Sequence, residues 1–142
     1  MTTGKRLIPA FAFLGLLSIC QIHSNGKPPT RNADNDPKIA QAPESARAIK
    51  NPFAGDPSSI AAGRKLYGRY CASCHGVDAQ GLRKAPNLRA PLVQQAAPGA
   101  LFWFLKNGDM KQGMPSWSRL PDAQLWQLVT YLQSLVKEGA NR

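Results

Sequence analysis

Tyr67-Gly68-Arg69-Tyr70-Cys71-Ala72-Ser73-Cys74-His75-Gly76 is the stretch that decides how this chain is read. Cys-x-x-Cys-His is a signature of covalent haem attachment. Two thiols three residues apart at a helix end can reach the two vinyl groups along one haem edge, and the next residue then presents an imidazole beneath the iron. Cys71 and Cys74 are therefore candidate thioether positions and His75 a candidate axial ligand, with one haem c as the expected cofactor. Three rival readings use the same residues. A structural zinc site usually needs four protein ligands, and no second pair accompanies these three. A thioredoxin-like redox pair usually follows a strand and opens a helix, whereas this pair ends an amphipathic one. An ordinary disulfide is the plainest rival.

Working outward, Ser58 or Ser59 can cap a helix on which Ile60, Gly63, Tyr67, Tyr70, Cys71 and Cys74 share one face. Residues 76–98 contain Gly81, Pro86 and Pro91 and read as loop. A second helix is expected over 99–107, with Gly108 as its C-terminal cap, followed by a turn-rich loop over 109–120. The last helix is the clearest: Pro121 stands near its first turn, and Leu125, Leu128, Val129, Leu132, Leu135 and Val136 form one stripe. No segment alternates at period two, so the fold class is all-α.

The chain begins differently. Lys5-Arg6 precedes an apolar run from Leu7 to Cys20, whose fourteen residues would reach about 21 Å as a helix, short of the roughly 30 Å hydrocarbon core. Residues 1–24 read as a secretory signal peptide, cleaved after Cys20 or Ser24, with lipidation at Cys20 or a retained anchor as alternatives that would tether the protein to a membrane. Removing this segment takes His23 and leaves His75 as the only histidine. Residues 25–57 carry six prolines and few large apolar side chains. They read as a flexible tether in which 40–50 make at most a transient turn or two. The globular domain is then 58–142. The 18 Lys and Arg residues outnumber the 8 Asp and Glu. Beyond Lys27 they are scattered singly or in pairs, without a longer run or an aromatic-interleaved stripe, so they do not mark a nucleic-acid surface.

Around this site the chain resembles class I c-type cytochromes, over about residues 51–138. The resemblance implies three main helices and loops wrapped around one covalent haem. Gly63 and Tyr67 would meet the C-terminal helix at Leu128 and Tyr131, and the carbonyl of Pro86, in Pro86-Asn87-Leu88, would accept the Nδ1 proton of the iron-bound histidine. Gly113-Met114-Pro115-Ser116-Trp117 looks like the distal Gly-Met-Pro-x-Trp loop of bacterial members. Met114 is then the sixth ligand rather than Met110, which lacks that flanking pattern, and Pro115 favours an extended Met114 whose thioether can project into a crevice. Trp117 would line the pocket or donate to a propionate. A six-coordinate His/Met iron has no open position, so the expected function is single-electron transfer rather than catalysis. The implied setting is the periplasm, with redox proteins bearing an acidic docking face as partners. The alternatives are a haem-bearing subunit of a membrane-associated dehydrogenase or oxidase, and a ligand-binding sensor.

Overall fold

A computed structural model describes Met1 and residues 37–139. The expected signal peptide, with its lipidation or anchor alternatives, and the first part of the expected tether lie outside the described residues. Helices α1 Glu44–Arg47, α2 Pro57–Tyr70, α3 Ala72–His75, α4 Pro91–Gln94, α5 Pro98–Asn107 and α6 Asp122–Gly139 are joined by loops and two 3-10 turns, Lys38–Gln41 and Met110–Gln112. The described residues form no strand, only an isolated bridge between Asp109 and Met114. The fold is all-α.

Helix α2 is capped by Asp56, two residues before the earlier of the two candidate serines. Pro57 occupies its first turn, where a missing N–H costs nothing, and the Asp56 carboxylate accepts from the N–H groups of Ser58 (3.3 Å) and Ser59 (2.9 Å). Hydrogen bonds from Ser59, and then Ser58, hold the Asp56 carboxyl down at about 2.

The frame is the crossing of α2 and α6. A Cβ on Gly63 would lie 2.1 Å from the Gln127 carbonyl oxygen and 2.7 Å from Tyr131 Cβ. Contact is thus centred on Gln127 and Tyr131, one residue from the expected Leu128, which is buried beside it. The Tyr67 ring packs on Tyr131 with centroids 5.3 Å apart and planes tilted by 52°. Leu125, Leu128, Val129, Leu132 and Leu135 of the predicted stripe are buried. Phe102 of α5 stacks on Trp126 at 4.2 Å, which brings α5 onto the same helix.

The expected tether is corrected over its second half. Residues 37–57 wrap the domain as a strap, with Ile39, Ala42, Ala46 and Asn51 buried. Ile39 and the partly buried Phe53 anchor it, and small side chains between them let its backbone lie close to the domain. Gly99, at the start of α5, lets the backbone of α1 come so close that any Cβ would collide with the Ala46 carbonyl. Asn51 Nδ2 donates to Thr130 Oγ1 (2.8 Å), whose hydroxyl in turn reaches the Trp126 carbonyl (2.8 Å), so the end of the strap is fastened to α6 through a buried polar pair. The loop expected over 76–98 is likewise corrected in part, because Pro91 at a first-turn position opens the short helix α4 and buries Val93.

Candidate haem site

Helix α2 ends at Tyr70, and Cys71 is the joint between it and α3. The pair therefore straddles a helix break, with Cys71 buried and Cys74 exposed. Their sulfurs are not bridged. Burial, and secondarily the neighbouring Cys74, pushes the Cys71 thiol up to about 11, which keeps it neutral. No group of three His, Cys, Asp or Glu side chains among the described residues is placed to share a metal ion.

His75 closes α3 and is 7% exposed. Its Nδ1 lies 3.1 Å from the carbonyl oxygen of Pro86. A carbonyl only accepts, so this contact needs the ring proton on Nδ1 and leaves the lone pair on Nε2, which has no protein partner among the described residues. The two segments that meet here are locked by backbone bonds: Gly81 N–H donates to His75 O (2.9 Å) and Leu88 N–H to Ala79 O (2.9 Å). Tyr67, from the preceding helix, donates its hydroxyl to Gly76 O (2.6 Å) and so fixes the residue after the histidine. Sequence reasoning had given Tyr67 a packing role and missed this bond, which only the fold of the next turn creates.

The distal candidates separate by burial. Met110 is 73% exposed, whereas Met114 is half-buried and packs against the core. Met114 is held at both backbone ends: its N–H donates to Asp109 O (2.9 Å) and its carbonyl accepts from Asp109 N–H (2.7 Å). Trp117 N–H donates to Leu105 O (2.9 Å), which ties the loop to α5, and its ring lies 5.3 Å from that of Tyr70. The Trp117 indole Nε1 is buried and has no hydrogen-bond partner.

These features fit a haem. Two unbridged thiols stand beside an imidazole with a bare nitrogen, and a buried indole donor lacks the acceptor that a propionate would supply.

The chain is similar to known proteins in the same region. Residues 58–132 match the family model described as cytochrome C oxidase, cbb3-type, subunit III. Cytochrome c550 of Pseudomonas aeruginosa is 26% identical over 131 residues, covering 87% of this chain and 88% of that protein. The cbb3-type cytochrome c oxidase subunit CcoP of Azospirillum sp. is 36% identical over 95 residues, 60% of this chain and 31% of that subunit. The quinohemoprotein alcohol dehydrogenase ADH-IIG of Pseudomonas putida is 40% identical over 68 residues, 46% of this chain and only 9% of the dehydrogenase. The chain thus spans most of the small cytochrome and under a third of the two larger relatives. Since the family match covers more than half of the sequence and includes the haem-attachment signature, the chain belongs to the family described as cytochrome c oxidase, cbb3-type, subunit III, and is a mono-haem c-type cytochrome that transfers electrons.

Proposed function

We propose that the protein is an exported electron carrier whose haem is attached through Cys71 and Cys74 and ligated by His75 and Met114. The observation that carries this reading is the His75 ring: its Nδ1 proton is committed to Pro86, and its Nε2 is bare beside two unbridged thiols. When bound, the haem supplies a one-electron iron couple. The chain's part is to hold that couple in one geometry. The Pro86 carbonyl orients the imidazole and raises its basicity. The Asp109–Met114 bridge presents the thioether, a soft ligand that favours the reduced state. The buried Trp117 Nε1, which has no protein acceptor, would be free to donate to a carboxylate of the haem. Were His75 and Met114 both to hold the iron, no position would remain open for a substrate, and the protein would act as a carrier rather than an enzyme.

The setting follows from the first 24 residues, whose basic start and apolar run suit export to the periplasm, soluble or tethered by the N-terminus. No helix among the described residues is long and apolar enough to cross a membrane. The partners are redox proteins, and the basic residues around the site favour ones with an acidic face. A second reading, a haem-bearing subunit of a membrane-associated dehydrogenase or oxidase, is supported by the named relatives that are themselves such subunits or enzymes. The match to cytochrome c550 along nearly its full length supports the carrier.

Expression with export in a host that matures c-type haem tests the site. The mass should show one covalent haem, absent from the Cys71→Ser/Cys74→Ser double variant. Met114→Ala should lower the reduction potential and abolish the sulfur-to-iron charge-transfer band at the red end of the spectrum, while Met110→Ala should keep both. A covalent haem in the double variant would overturn the attachment assignment, and the reverse methionine pattern would move the ligand to Met110.

A further inference from the structure

Arg89 bridges the loop leaving His75 and the last turns of α6. Its Nε donates to the carbonyl of Asp78 (2.7 Å), three residues after His75, and its Nη1 donates to the carbonyl of Leu135 (2.7 Å), near the C-terminal end of α6. A planar guanidinium offers such donors in a fixed fork, and a cation is favoured where helical carbonyls begin to lack partners. Its own backbone is fixed as well, since Arg89 N–H donates to Asn87 Oδ1 (2.8 Å). Next to it, the Leu88 carbonyl accepts from Gln94 Nε2, which also donates to Leu132 O (3.0 Å). The residues just after Pro86 are therefore tied on one side to the loop leaving His75 and on the other to α6. The space inside this frame is tight: a Cβ on Gly81 would lie 2.9 Å from both the Pro86 carbonyl carbon and the Asn87 nitrogen.

We propose that Arg89 is a positioning residue of the haem site, whose two-pronged clamp on Asp78 and Leu135 keeps the Pro86 carbonyl aimed at His75 Nδ1. This rests on His75 being the iron ligand. The inference adds that the orientation of the proximal imidazole is set from α6, through Arg89, and not by the Pro86 loop alone. Lysine would keep the charge and lose the fork, so the Arg89→Lys variant separates the two roles of the side chain.

The test is nuclear magnetic resonance of the haem-loaded, full-length protein, following solvent exchange of the His75 Nδ1 proton in wild type, Arg89→Lys and Arg89→Met. Loss of one of two such bonds should open the site often enough to raise that exchange by roughly tenfold in both variants. Amide exchange in the centre of α6, at Leu128 and Val129, should rise far less. If only Arg89→Met is affected, charge and not the clamp matters, and the inference fails. If His75 and the α6 amides accelerate together, Arg89 serves stability alone, and the inference fails again. A His75 ring whose signals lack any shift from the haem iron in wild type would instead overturn the ligand assignment beneath it.

Discussion

Gly63 and Gln127 bring α2 and α6 within backbone contact, at a distance that leaves 2.1 Å between a notional Cβ and the Gln127 carbonyl oxygen. The obstacle is main chain, which cannot swing aside as a flexible side chain can. Gly63→Ala must therefore push the helices apart and disturb the Tyr67–Tyr131 pair that packs beside the crossing. The expected loss is about 1–3 kcal/mol, read as a lower denaturant midpoint at unchanged slope. Gly68, on the same helix, has nothing within 4 Å of its notional Cβ. Gly68→Ala should accordingly stabilise the protein by about 0.5–1 kcal/mol through helix propensity. Equal effects of the two substitutions would mean that the crossing is not the frame of the fold.

The strap makes a second test. Asn51 is buried and its amide is satisfied by Thr130 and, through Oδ1, by the Phe53 N–H (2.9 Å). Asn51→Ala removes both bonds and leaves the Thr130 hydroxyl without its donor, at an expected cost of about 1–3 kcal/mol. The damage should be local. Protease should cut within residues 38–50 of the variant well before it cuts α5 or α6. Uniform cleavage along the chain, or none, would contradict a strap fastened at this pair.

How far the sequence disclosed these features depends on the range of the interaction involved. The attachment motif, the stripe on α6 and the Gly108 cap are local patterns, and each was legible because neighbouring residues along the chain carry it. Resemblance to class I cytochromes added the Gly63–Tyr67 contact with the last helix and the Pro86 carbonyl, both of which the geometry contains. The strap was not legible. Two of its four buried residues are alanines, which carry little hydropathy signal, and its fastening joins Asn51 to Thr130 across 79 positions. Nor could Arg89 be distinguished from a surface cation, since its two acceptors are backbone carbonyls 11 and 46 positions away.

Acid should expose the cap of α2. The Asp56 carboxyl sits at about 2 in the folded protein against 3.8 for the ordinary group. A depressed folded value contributes stability that is fully present above the unfolded value and is lost as pH falls through the folded one. The advantage of wild type over Asp56→Ala should therefore be constant from neutral pH down to about 5 and shrink between about 4 and 2. Asp56→Asn, which caps a helix without titrating, should show no such trend relative to Asp56→Ala. A wild-type advantage that persists unchanged at pH 2 would remove Asp56 as the titrating cap.

The last prediction concerns how partners approach. From Ser58 onward the chain carries eleven Lys and Arg against four Asp and Glu, a net +7 before haem is counted. Five of these cations, Arg83, Lys84, Lys106, Lys111 and Arg119, lie in or beside the loops that form the site. Lys106 drops out as a free charge. Its ammonium pairs with Asp122 at 2.8 Å and lies 5.3 Å from the centre of the Phe102 ring. Arg83, Lys84, Lys111 and Arg119 are exposed, and no ion pair among the described residues involves them. A basic rim of this kind acts through the field it casts before contact, so it should govern the association rate more than the final affinity, within a screening length of about 8 Å at physiological salt. Electron-transfer rates with the physiological partner should fall as ionic strength rises. Charge reversal at Lys84 or Lys111 should slow association more than reversal at Arg64, which lies on the exposed face of α2, and neutralising Lys106 should change it less than neutralising Lys111. A second-order rate that stays level or climbs from low to physiological salt would sink the acidic-partner proposal while leaving the haem site untouched.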